Sequence, residues 1–468
     1  MSTPNTRYGA EQIIRMLYKK RSIFFIGIGG VHMSALAHIA MDQGYIVGGS
    51  DRTETALTRS LSDSGIDVKY GHCEKNLDGY EVVVYTVAVP PDNPEYQRAQ
   101  REGLPCISRA DFLGYIMTRC KNRIGIAGMH GKSTCTSIVS QIFIDGETDP
   151  TILSGAELPA LNASYRIGKD EFFIFEACEY MDSFLSFYPT IAVILNIEMD
   201  HVDYFKSMDQ IYRSFVAFMN KTGEDGVCVV NADDPHVMKC AAEYGWDLIT
   251  FGVHDSRSDF HAENIDFSRG RASFDIICKG NLLCRANLAV PGYHNIYNAL
   301  AAAACAWLCG ISGEMISAAL GTFTGAKRRM EHKGQLNGAD LYEDYAHHPT
   351  EIAATIDSAR RMGYNRVLCV FQPHTYSRTA ELFDSFASAL RTADEVVLTD
   401  IYSARETDTF GISSGKLADA VGGALYFSDF SDAADYFASK LMPGDVLLIM
   451  GAGDIYKLSD LLSNMGKA

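Results

Sequence analysis

The stretch Ile124-Gly-Ile-Ala-Gly-Met-His-Gly-Lys-Ser-Thr-Cys-Thr-Ser137 constrains this chain more than any other. Residues 123 to 127 predict a short apolar strand, Gly128 to Gly131 a loop, and Ser133 onward a helix, so the loop opens on a helix N-terminus. Polyphosphate is held at such a place. Bare backbone N–H groups and the positive helix end favour an anion, Lys132 adds a fixed charge, and the Ser133 hydroxyl suits Mg²⁺. The full P-loop pattern asks for glycine at 126, where Ile126 stands, so the loop is a shorter Gly-x-x-Gly-Lys-Ser form.

A chain of 468 residues exceeds what one core fills and predicts two to four domains. Its net charge of -17 opposes nucleic acid or an anionic membrane as the main partner. No apolar run approaches the roughly 20 residues that span a bilayer, and the polar stretch Met1 to Ala10 is unlike a signal sequence. The expectation is a cytoplasmic α/β protein. Twelve cysteines form no C-x-x-C pair, and several stand inside apolar runs (Cys305, Cys309, Cys369), which predicts small buried hydrophobes rather than disulfides or a zinc site.

Three domains are expected, at 1–120, 121–325 and 326–468. The first opens with a helix (Gln12 to Lys19) and a buried strand, Ile23 to Ile26, running into Gly27-Ile-Gly-Gly-Val-His-Met-Ser34. Strand, glycine turn and helix make a Rossmann-like start, with Gly29 and Gly30 at a diphosphate and Asp51 about where a ribose-binding acid is expected. The third glycine of the dinucleotide fingerprint falls at His32, which weakens a nicotinamide reading.

In the second domain, Phe172 to Cys178 and Ile191 to Ile197 predict parallel strands buried on both faces, ending in acids and histidine. Glu176, Asp200 and His201 are then expected to converge on the phosphate loop, as ligands for one or two Mg²⁺ ions. Residues 250 to 290 predict alternating β structure, and the alanine-rich run after Pro291 a close-packed helix. On its first turns, His294, Asn295 and Asn298 either read adenine or, for Asn295, cap the helix. In the third domain strands Asp340 to Tyr345, Val367 to Phe371, Glu395 to Thr399 and Asp445 to Met450 each end in a polar, glycine or histidine loop, again a doubly wound sheet. Arg329 and Arg378 are candidate clamps for phosphate or carboxylate.

Together these motifs resemble the Mur ligase family over nearly the whole chain. The resemblance rests on Gly27-Ile-Gly-Gly, Gly128-Met-His-Gly-Lys-Ser-Thr134, Glu176-Ala-Cys-Glu179, Asn196-Ile-Glu-Met-Asp-His201, His294-Asn-Ile-Tyr-Asn298, Asp344-Tyr-Ala-His-His-Pro-Thr350, Gln372-Pro-His374 with Arg378, and Gly451-Ala-Gly-Asp454. It implies a Rossmann-like N-terminal domain for a UDP sugar, a central P-loop ATPase-like domain and a C-terminal Rossmann-like domain for an amino acid. It also implies an ATP-dependent amide ligase of peptidoglycan synthesis, with UDP-N-acetylmuramate as the acid and L-alanine as the amine.

The same resemblance places ATP on Gly128, Met129, His130, Gly131, Lys132, Ser133 and Thr134, with Ser133 and Glu176 on one Mg²⁺ and His201 on a second. It puts His294, Asn295 and Asn298 at adenine, Asp344 at the ribose, Arg329 at the γ-phosphate, and Tyr345, His347, His374 and Arg378 at the amino acid. Either His347 or a water on the cation takes the amine proton. Departures from the family pattern stand at His32, Met129, Cys178, Met181 and Thr375. Domain closure by hinges near 120 and 326 and a monomer or weak homodimer are expected. A relative that reattaches a recycled tripeptide to the same sugar nucleotide, a nicotinamide oxidoreductase and a non-catalytic nucleotide-binding regulator are the rival readings.

Overall fold

Short runs of branched and aromatic residues form the inner strands of three sheets, in a computed structural model that describes residues 5–202, 204–268, 270–404 and 406–466. The first sheet holds β1 (Ser22–Ile26), β2 (Ile46–Asp51), β3 (Asp67–Tyr70), β4 (Val82–Tyr85) and β5 (Cys106–Ser108), all parallel, in the order β3-β2-β1-β4-β5. The order reverses between β1 and β4, which opens a crevice outside the strands' carboxyl ends. Gly27 to Gly30 lie there, and the helix Val31–Asp42 follows.

The next strands are β6 (Asn122–Ala127), β7 (Thr151–Leu158), β8 (Ala163–Arg166), β9 (Phe172–Glu176), β10 (Ile191–Ile194) and β11 (Val227–Asn231), ordered β11-β10-β6-β9-β7-β8. Only the β7–β8 hairpin is antiparallel. The register of β6 on β9 sets Ile126 opposite Glu176, so the acid ends its strand beside the loop that ends β6. β12 (Asp247–Gly252), β13 (Phe260–Ser268), β14 (Arg271–Cys278) and β15 (Asn281–Pro291) then run in chain order, with β13 to β15 an antiparallel meander. Burial alternates along β14, as the expected period of two requires. The helix His294–Leu308 buries an unbroken run from Ala299 to Ala306, whose small side chains let its neighbours approach closely.

The third sheet contains β16 (Glu331–Leu336), β17 (Ala339–Asp344), β18 (Val367–Phe371), β19 (Glu395–Leu398), β20 (Leu425–Tyr426) and β21 (Val446–Met450), ordered β16-β17-β21-β18-β19-β20. Along β18, Val367, Cys369 and Phe371 enter one core, while Leu368 and Val370 enter another on the opposite face. That two-sided burial explains the continuous apolar run.

These sheets bear out the expected α/β class. The described residues gather into two compact units. One takes the chain up to Ile197 with Asp209–Val230 and Asp234–Ile249, and the other takes Glu198–Met208, Asn231–Asp233 and the chain from Thr250 on. Several boundaries differ from expectation. The phosphate-loop helix starts at Lys132 with Gly131 as its N-cap, β9 stops at Glu176 and β10 at Ile194, the first helix spans Ala10–Leu17, and β16 is an additional edge strand. The run Pro90 to Pro94 ends in a helix, Pro94–Arg101, because the Asn93 side chain accepts from the N–H groups of Glu95 and Tyr96.

Candidate active site

In the first unit the phosphate loop is built on two glycines. Gly128 has φ +143° with the Leu195 Cβ 3.0 Å from where its own Cβ would stand, and Gly131 has φ +82°. Asn196, just past β10, holds the loop open. Its Oδ1 accepts from the His130 N–H at 2.8 Å, its Nδ2 donates to the His130 carbonyl at 2.9 Å, and its carbonyl accepts from the Met129 N–H at 3.2 Å. Lys132 Nζ donates to the Gly128 and Met129 carbonyls at 2.5 and 3.1 Å and to Glu179 Oε2 at 3.0 Å. Burial alone would lower the lysine's pKa. Glu179, with Cys178 and Glu176 behind it, more than reverses this and holds the ammonium above the usual lysine range.

Ser133, in the first turn of the loop's helix, is buried. Glu176 Oε1 accepts from the Gly155 N–H at 2.6 Å and from Ser154 Oγ at 3.2 Å. A Cβ at Gly155 would lie 2.7 Å from Glu176 Oε2, so glycine there keeps the second oxygen clear. At the first sheet, Asp51 ends β2 and turns its Oδ2 to the Gly29 N–H at 2.8 Å, tying the glycine loop to the neighbouring strand. Gly30 caps the helix that follows.

In the second unit Arg378, held on the helix Tyr376–Glu381, donates Nε and Nη2 to Asp200 Oδ1 at 3.1 and 3.0 Å, and both residues are buried. Burial by itself would raise the Asp200 pKa. The Arg378 guanidinium, helped by His201, His347 and His348, outweighs it and holds the carboxylate well below its usual range. Asp200, a carboxylate that sequence reasoning offered to metal, is therefore engaged by arginine. His201 follows in a left-handed conformation, φ +49°, which costs energy in a non-glycine residue and is common at functional sites.

The loops after β17 and β18 bring the aromatic and imidazole candidates together. The His347 and His374 rings are 6.0 Å apart, and His374 stacks on Tyr402 at 5.6 Å. Burial, reinforced by His347 and Arg378, lowers His374 to about 4, so it stays a neutral acceptor. The Tyr345 ring lies 4.9 Å from both the Arg328 and Arg329 guanidinium carbons. Asp344, at the end of β17, accepts from the Met330 and Ala346 N–H groups, both at 2.7 Å, yet burial pushes its carboxyl up to about 6 against the pull of Arg329. Asn295 Nδ2 donates to the Pro291 carbonyl, and Asn298 Nδ2 to Asn295 Oδ1. Tyr293, not Asn295, is the cap of that helix, and His294 is solvent-exposed at its start.

Sequence reasoning thus located the loops but missed several of the groups that hold them. Asn196 and Glu179 stood inside quoted motifs without a role, and a polar residue at the end of an apolar strand was the available signal.

The phosphate loop, the carboxylate beside it and the strand-end clusters of the third sheet define a nucleotide-using α/β enzyme. Residues 22–121 match the Mur ligase family catalytic domain, 126–306 the Mur ligase middle domain and 328–453 the Mur ligase glutamate ligase domain. This chain belongs to the Mur ligase family. It is 45% identical over 446 residues to the UDP-N-acetylmuramate--L-alanine ligase of Clostridium acetobutylicum, covering 94% of this chain and 97% of that one. The similarly named protein of Lachnospira eligens is 45% identical over 444 residues, 94% and 97% of the two chains. Among solved structures, the UDP-N-acetylmuramate-alanine ligase of Thermotoga maritima superposes with a TM-score of 0.79 at 28% identity, covering 95% of this chain and 98% of that one. A murein peptide ligase from Psychrobacter arcticus shares the fold, with a TM-score of 0.71 at 24% identity over 96% and 99% of the two chains.

Proposed function

We propose that this chain is an ATP-dependent ligase that joins L-alanine to the lactyl carboxylate of UDP-N-acetylmuramate in peptidoglycan precursor synthesis. The observation that carries the reading is near-full-length identity of 45% to relatives so named, in a chain that sets Lys132 and Glu176 at its phosphate loop. The carboxylate attacks the γ-phosphorus of ATP, ADP leaves, and an acyl phosphate forms. The amine then attacks the acyl carbon and phosphate leaves.

Phosphoryl transfer asks the protein for position and charge more than for covalent chemistry. Lys132 and the N–H groups from Gly131 to Thr134 hold the phosphates, those of Met129 and His130 being taken by Asn196. Ser133 and Glu176 offer the hard oxygen donors that Mg²⁺ takes, and the cradle left by Gly155 keeps one Glu176 oxygen clear for it. Bound there, Mg²⁺ would neutralise charge on the phosphate oxygens. His201 is assigned to a second ion, Arg329 to the γ-phosphate, Asp344 to the ribose, and His294, Asn295 and Asn298 to adenine. Gly29, Gly30 and Asp51 take the sugar nucleotide. Tyr345, His347, His374 and Arg378 surround the alanine, with His347 accepting the amine proton. None of the described helices is long and apolar enough to cross a membrane. A cytoplasmic monomer or weak homodimer accords with the reading.

The test is purified protein with ATP, Mg²⁺, UDP-N-acetylmuramate and each of L-alanine, glycine, L-serine and the recycled tripeptide, scored for ADP and the new amide. One methyl is worth about 1–3 kcal/mol in such a pocket, so alanine should lead glycine by roughly tenfold or more in kcat/KM. Turnover with the tripeptide alone would replace the reading, and turnover with no amine would end it.

A further inference from the structure

His32, second residue of the helix after the glycine loop, has no part in the assignments above. Its Nδ1 accepts from Arg109 Nη1 at 3.0 Å, and its ring also hydrogen-bonds the Ser154 backbone. Arginine has only donors, so Nδ1 is the bare nitrogen and Nε2–H is left to donate to the Ser154 carbonyl. Burial, with the guanidinium alongside, lowers the imidazole to about 3 and keeps it neutral.

Arg109 opens the helix that leaves β5, on the carboxyl edge of the sheet that carries Gly27 to Gly30. Burial presses its pKa down, and among the described residues it pairs with no carboxylate. The neighbour acting on it is Cys178, a thiol rather than a carboxylate. A largely buried guanidinium without an anion is costly and fits a site whose anion comes with the substrate. Arg109 therefore touches the helix that follows the glycine loop through His32, and it also interacts with Cys178, two residues past Glu176.

We propose that Arg109 receives the lactyl carboxylate of the sugar nucleotide and that His32 is the positioning residue that holds its guanidinium for the task. This rests on placing the sugar nucleotide at the Gly27–Gly30 loop. Ser154 extends the arrangement: its backbone bonds His32, while its hydroxyl donates to Glu176 Oε1 at 3.2 Å. One residue of β7 thus steadies both the carboxylate beside the phosphate loop and the ring that aims the acid-binding cation. An alanine at 32 would leave Arg109 Nη1 without its acceptor.

The experiment is calorimetric titration of the full-length chain with UDP-N-acetylmuramate and with UDP-N-acetylglucosamine, which has the same nucleotide and amino sugar but no lactyl carboxylate. His32→Ala is expected to weaken the first on the order of tenfold and leave the second unchanged, with KM for ATP and for L-alanine within about twofold of the parent. His32→Gln presents both an acceptor and a donor and should recover most of the loss. Equal weakening of both ligands, no weakening of either, or a Gln variant as weak as Ala at an unchanged melting temperature would overturn the assignment. Asp51→Ala in the same titrations tests the underlying placement. If it weakens neither ligand, that placement fails; if it weakens both while His32→Ala affects neither, the role of His32 alone fails.

Discussion

Lys132 Nζ lies 3.0 Å from Glu179 Oε2 and 3.3 Å from Oε1, and the glutamate side chain is wholly buried. The lysine of the phosphate loop is therefore oriented before any nucleotide arrives. Replacing it with alanine removes a cation from the reacting phosphate and strands a buried carboxylate. Lys132→Ala should lower kcat by a factor on the order of 10² to 10³ while KM for alanine moves by about twofold at most, in steady-state assays. Glu179→Ala should cost about 3 kcal/mol of stability by chemical denaturation, since one half of a buried pair remains.

Asn196 carries the loop through its side chain. Asn196→Ala deletes two part-buried hydrogen bonds to His130, a loss of about 1–3 kcal/mol. The expected result is a KM for ATP raised roughly tenfold with a smaller change for the sugar nucleotide, read from initial rates at varied ATP.

Arg378 and Asp200 form the counterpart in the second unit. Arg378→Ala leaves a buried carboxylate without its guanidinium partner and should destabilise the protein by about 3–5 kcal/mol. Adding Asp200→Asn should restore part of that stability without restoring turnover. Denaturation of the two single variants and the double variant measures the coupling.

Asp344 makes stability depend on pH with a definite sign. Burial pushes its carboxyl up to about 6 in the folded protein from an ordinary 3.8, so the native state binds the extra proton. Stability attributable to this group is present at low pH and is lost as pH rises from about 4 to about 6, a change of about 3 kcal/mol. The difference in stability between the parent and Asp344→Asn should slope across that window and flatten above it, followed by urea denaturation at each pH.

Two neighbouring glycines should respond differently to alanine. At Gly29 a Cβ would stand 2.7 Å from Asp51 Oδ2 and 2.8 Å from Thr58 Cγ2, whereas at Gly30 the nearest atom is 3.6 Å away and φ is -69°. Gly29→Ala should cost about 1–3 kcal/mol through overpacking, and Gly30→Ala less than about 1 kcal/mol, mainly through its capping position. Thermal melts of the two variants, side by side, check the contrast.

Much of this architecture was legible along the chain. Apolar runs of five or six residues that end in glycine, acid or histidine announced buried parallel strands and placed the loops at their carboxyl ends, because both signals are local. The phosphate loop was readable for the same reason. Edge strand β16 was not, since its composition, Glu-His-Lys-Gly-Gln-Leu, has no clear period and it is held by pairing with β17. Asp200 was legible as a strand-end acid but not as the partner of Arg378, 178 residues away.

The amino-acid sequence by itself determined the α/β class, the order of the strands along the chain and the chemistry of the loops, since hydrophobic runs, turn residues and short motifs act through neighbours. Tertiary structure decided which polar groups became partners. Glu179 rather than Glu176 holds Lys132, Asn196 props the phosphate loop, and His32 meets Arg109 across 77 residues of chain. The physical reason is register and strand order: parallel pairing of β6 with β9 and β10 carries distant residues to one edge, and only packing selects which side chains point at one another there.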